Sequence, residues 1–136
     1  MPYADRTRVP IFQSRGEIER LLVKHKASHF ASMIGPDHVA IAFRAYDRHV
    51  RFILPMPKKT TSSDQLQRTR WRGLLLCIKA KFEAIEAGIE TFDQAFMPHV
   101  VMPSGETAGE VILPRIADAY AKGLDVPLLP DHRGNR

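Results

Sequence analysis

Apolar residues recur along this chain with two periods, and the switch between them marks out its elements. Ile18, Leu21 and Leu22, with His25 after them, fall at helical spacing behind Ser14-Arg-Gly-Glu17. That tetrapeptide has the form of a capping box, so a first helix is predicted over residues 15–26. The segment before it reads as extended, with a short strand over 8–12. The period then drops to two. Residues 29–34 form a first strand signal, and Gly35-Pro36-Asp37 is turn chemistry. Over 39–45, Val39, Ile41 and Phe43 alternate with Ala40, Ala42 and Arg44. After a turn at Tyr46-Asp47-Arg48, Val50, Phe52 and Leu54 alternate with His49, Arg51 and Ile53. Three short runs with short links predict an antiparallel meander with one apolar face and a second face of small and basic residues.

Helical spacing returns after a loop at 55–64. Ser62-Ser-Asp-Gln65 is placed to cap a long helix over 63–87, whose Trp71, Leu74, Leu75, Ile78, Phe82 and Ile85 make one apolar stripe. Gln65, Arg68, Arg72, Lys79, Glu83 and Glu86 share another face at 100° per residue. That face is basic first and acidic second, the reverse of what the helix dipole favours. Gly88 is the natural stop. Thr91-Phe-Asp-Gln94 caps a short turn carrying Phe92 and Phe96. Residues 99–102 read as a short strand. Thr107-Ala-Gly-Glu110 caps a last helix to about residue 121, with a kink or late start at Pro114 and with Val111, Ile112, Ile116, Ala119 and Tyr120 turned inward. The prediction is one α+β domain over residues 1–124: a three-stranded antiparallel meander packed by a long amphipathic helix, with two or three further helices. An extended tail over 125–136 follows.

Composition changes this picture in one respect. At 136 residues and 44% hydrophobic the chain is ordinary for a folded domain. Its charge is not evenly spread. Residues 1–82 hold 16 Lys and Arg against 6 Asp and Glu, while residues 83–136 hold 4 against 9. A basic front and an acidic rear suit a polyanionic partner or self-contact. The single Cys77 is expected to be buried apolar filling. The start of the chain lacks the apolar stretch of a signal peptide, and the longest apolar run is far too short for a membrane. A cytoplasmic location is the expectation.

The six histidines include His25 and His29 four apart, but the first helix ends between them, so no metal pair is predicted. No carboxylate pair, phosphate-binding glycine loop or nucleophile motif stands out. No cofactor and no enzymatic activity are expected. The basic residues are the better candidates. Lys58 and Lys59 in the loop, Arg68, Arg72 and Lys79 on the long helix, and Arg44, Arg48 and Arg51 from the sheet are predicted to gather into one surface that tracks phosphates or binds a partner. Tyr46 at a hairpin tip is read as turn composition rather than a base-stacking group. The alternative to binding is a solvated face whose Lys and Arg stems cover the core. The α-β-β-β-α order over 15–87 is also that of double-stranded-RNA-binding domains, although the lysine cluster expected at the start of their second helix is replaced here by Arg68-x-Arg70-x-Arg72 further in.

Several stretches carry a resemblance: Met1-Pro-Tyr-Ala with Val9-Pro10, Ser14-Arg-Gly-Glu-Ile-Glu-Arg20, Val50-Arg-Phe-Ile-Leu-Pro55, Arg70-Trp-Arg-Gly-Leu, Ile78-Lys-Ala-Lys-Phe-Glu-Ala84, Ile112-Leu-Pro114 to Tyr120, and Leu128-Leu-Pro130. On these the chain resembles a group of small uncharacterised proteins encoded in bacteriophage and prophage genomes. The resemblance implies a phage-related origin and transfers no functional residues. The expectation is a non-enzymatic DNA- or RNA-binding accessory protein of phage replication or recombination. The alternative is a protein-binding modulator of a host or anti-phage defence complex. The reversed charge order on the long helix further suggests a salt-sensitive homodimer, with Arg68 and Arg72 of one copy against Glu83 and Glu86 of the other.

Overall fold

In a computed structural model, which describes residues 8–56 and 64–123, the elements run α1 (Ile11–Lys24), β1 (Ser28–Ile34), β2 (His38–Ala45), β3 (Arg48–Pro55), α2 (Asp64–Glu86), α3 (Phe92–Phe96), a 3-10 turn (Met97–His99) and α4 (Ala108–Lys122). The strands pair antiparallel in the order β1-β2-β3, so the predicted meander is present. The β2–β3 link is a two-residue turn in which Tyr46 (φ 53°) and Asp47 (φ 60°) are both left-handed. That is the type I′ geometry whose twist matches the strands it joins. The β1–β2 register slips between Ser28 and Ala31, beside the left-handed His29 (φ 57°), which marks a β-bulge on the sheet's free edge.

Strand alternation sends Val39, Ile41 and Phe43 of β2 and Val50 and Phe52 of β3 to one face, where all five are buried. α1 and α2 cover that face with Ile18 and Leu22 and with Trp71, Leu74, Leu75, Ile78 and Phe82. α3 closes one end of the layer. Its fully buried Phe96 meets Phe43, Phe52, Phe82 and Phe92 with ring centroids 4.6–6.3 Å apart, a range that favours edge-to-face and offset rings. Lys81 of α2 fixes α3 from outside, donating to the Ala95 carbonyl at 2.9 Å.

Several expectations are corrected. α1 starts at Ile11, four residues early, with Pro10 at the cap; no strand forms over 8–12. Ser14 lies inside the helix, buried, with its Oγ unbonded, so the predicted box does not form. Proline before the first helical residue, with its φ already set, outcompeted it. Residues 99–102 supply only isolated bridges, Val50 to Val100 and Val101 to Thr107, because Pro98 and the turn at 103–106 leave no run long enough for a strand. Cys77 is exposed, since it sits about 100° from the centre of α2's stripe. On α4 the inward set holds only in part: Ala108 and Gly109 are buried and Val111 and Ile112 half-buried, but Ile116 is exposed and Tyr120 is 86% exposed. α4 packs mainly on the 3-10 turn, so its later turns have no body beneath them. It runs through Pro114 without a late start. The cap at Ser62 and the tail over 125–136 lie outside the described residues.

Candidate nucleic-acid interface

α1 and α2 lie parallel, as their contacts show: Glu17 pairs with Arg72 and, further along both helices, His25 Nδ1 with Glu86 at 3.3 Å. His25 is also stacked on Phe82, centroid to centroid 4.1 Å. After Arg15, α1 runs Glu17 and Glu19, then Arg20 and Lys24, with His25 at its cap; after Asp64, α2 runs Arg68, Arg70 and Arg72, then Glu83 and Glu86. Parallel packing therefore sets acid opposite base at both ends of the seam. This answers the charge order that runs against the α2 dipole. Two of the four residues expected in a homodimer contact, Arg72 and Glu86, are thus paired with α1 of the same chain.

Along the solvent side of the seam runs a groove of about 320 Å³, floored by Leu21, Leu75 and Leu76. Arg20 and Lys24 of α1 and Arg72 and Lys79 of α2 line it, with Glu17 as the one carboxylate. It points toward a wider depression of about 610 Å³ at the start of both helices, lined in part by Arg8, Phe12 and Arg68. Arg68 is oriented by Gln65, whose Oε1 accepts from it at 2.8 Å. From Arg68 to Lys79 the cationic strip on α2 is about 16 Å long, the rise of about five base-pair steps.

The six described among the eight predicted cations do not form one surface. Arg68, Arg72 and Lys79 stand on the helical side. Arg44 and Arg51 project from the opposite face of the sheet, because they alternate with Phe43, Val50 and Phe52, which point inward. Arg48 makes a two-pronged pair with Asp93, both N···O distances 3.0 Å, which fastens β3 to α3. The carboxylate's hydrogen bond raises the Arg48 pKa above its ordinary value. Arg51 donates to the Gly105 carbonyl at 3.0 Å and to Glu110 at 3.2 Å. That hydrogen bond, with a smaller one from Thr107, holds the Glu110 carboxyl below its usual range. Arg48 and Arg51 are thus committed to structure. Lys58 and Lys59 lie outside the described residues. Tyr46 stacks on Phe92 at 4.6 Å, so its ring packs the hairpin tip against α3.

Arg20 and Lys24 were missed from sequence. They share a helical face with Glu17 and Leu21, and placing α1 beside α2 would have found them. Among the described residues no three His, Cys, Asp or Glu side chains are grouped to hold a metal, and no helix is long and apolar enough to cross a membrane. The molecule is an α+β domain with both long helices on one face of a three-stranded sheet. No protein family, curated protein or solved structure matches the chain.

Proposed function

We propose that this protein binds nucleic acid without catalysis, along the α1–α2 seam, as an accessory to phage replication or recombination. The phage setting rests on the sequence resemblance alone. One observation carries the binding reading: four cations face a single carboxylate along an open groove between two rigid helices. Glu17 neutralises Arg72, so Arg20, Lys24 and Lys79 are the groups free to meet phosphates. The α-β-β-β-α order shared with double-stranded-RNA-binding domains supports a duplex ligand as an analogy of fold.

Fluorescence anisotropy with labelled duplex RNA, duplex DNA and single-stranded DNA, each over a salt series, tests it. Affinity is expected to fall steeply with salt. Arg20→Gln, Lys24→Gln and Lys79→Gln should each flatten the log–log slope by about 0.7–0.9. Arg44→Gln, on the far side of the sheet, should leave the slope unchanged. Absence of binding to every probe at low salt would overturn the reading and favour the protein-binding modulator instead.

A further inference from the structure

The layer between helices and sheet is closed at one end by α3 and, among the described residues, is open at the other. There the first turns of α1 and α2 meet the β1–β2 turn, and a cavity of about 370 Å³ runs in to Val39 and Trp71, both buried core residues. Ile11 and Met56, half-buried, form its sides, and Ile34, 74% exposed, stands at its mouth. Two backbone bonds brace the rim. The Gly35 N–H donates to the His38 carbonyl and the Met56 N–H to that of Asp37, both at 2.8 Å. The size and the apolar lining are those of a pre-formed small-molecule site.

Two polar side chains reach this cavity, Gln67 of α2 and Arg15 of α1. Among the described residues Arg15 is the one charged group in the lining. It is half-buried, and no carboxylate among the described residues pairs with it. Glu17 is taken by Arg72, and Asp37 in the adjacent turn accepts from His38 Nδ1 at 2.9 Å. A guanidinium held against apolar surface without a counter-charge attracts an anion strongly, because little water screens it on that side. Its planar fork matches a carboxylate through two parallel N–H···O bonds.

We propose that this cavity binds a small amphipathic carboxylate, with its apolar chain against Trp71 and Val39 and its carboxylate on Arg15. Charge and lining select the occupant together. One cation over an apolar interior suits one anionic group, whereas a polyanion would leave further charges buried without partners. The cavity shares no residue with the groove along the α1–α2 seam, so carboxylate binding and nucleic-acid binding are tested apart.

Trp71 is the single tryptophan of the chain, so its emission reports on the cavity directly. The full chain is titrated with ω-bromooctanoate and with ω-bromooctanol, which has the same length and no charge; the bromine quenches an indole that it touches. Saturable quenching by ω-bromooctanoate is expected. Arg15→Gln should weaken that binding at least about tenfold, leave quenching by ω-bromooctanol unchanged, and retain the circular dichroism of the parent. Arg15→Lys, which keeps the charge but not the fork, should restore part of the affinity. Quenching of the parent that never saturates overturns the proposal, whatever the variants do. Equal weakening of the carboxylate and the alcohol by Arg15→Gln also overturns it, because Arg15 would then shape the cavity rather than read a charge.

Discussion

Lys26 is the clearest case of a single residue in a conformation that does not suit it. It stands at φ 61° just past α1. Its N–H is bonded to the Val23 carbonyl and that of Ala27 to Leu22, the two bonds of a Schellman stop. α2 ends on the same pair of bonds, Gly88 to Ile85 and Ile89 to Ala84, with the glycine such a stop prefers. Lys26→Gly should therefore stabilise the protein by about 0.5–1 kcal/mol after the extra freedom of an unfolded glycine is counted. Urea midpoints measure it, and no gain would mean that the lysine side chain contributes more than its backbone costs. His99 offers a second test. It stacks on Phe52 at 3.9 Å, and burial, helped by nearby Lys81, lowers its pKa from 6.5 to about 4. Between those values the unfolded chain binds the proton and the native chain does not. Stability is then complete above pH 6.5 and is lost as pH falls toward 4. His99→Leu should flatten that part of a urea-midpoint profile against pH, and an unaltered slope would assign it to other groups.

At the scale of elements, the seam between α1 and α2 is held by charge as well as by leucines. Glu17 and Arg72 are both mostly buried, so their pairing is worth more than an exposed pair's, about 1–3 kcal/mol in a double-mutant cycle. Reversing both charges together should recover part of the loss that either reversal causes alone. A double variant whose loss is the sum of the two single losses would show the pair to be incidental. This seam also shows what could be read from sequence. Period-two alternation located β2 and β3, and the α2 stripe named five residues that are buried, because both patterns report burial of one face of one element. Which elements lie side by side is not written in any one of them. The charged face of α2 was visible, but the α1 residues that answer it were not, and the sheet standing between Arg44 and Arg68 divided a set that looked contiguous along the chain.

For the molecule as a whole, one aromatic and aliphatic core joins α1, the sheet, α2 and α3, and α4 alone extends from it. Sequence periodicity predicted α4 as a buried helix because its stripe is as clean as that of α2. The pattern records that a face is apolar and says nothing of what covers it. The buried contact at Gly109, where a Cβ would stand 2.7 Å from the Pro98 carbonyl oxygen, then takes on a mechanical meaning. α4 is a rod about 20 Å long pivoted at its first turn, so a tilt of about 10° there would carry Tyr120 by about 3 Å. The missing side chain at Gly109 sets the angle at which that lever leaves the body. A methyl group at the pivot would re-aim the far end without altering any residue on its surface.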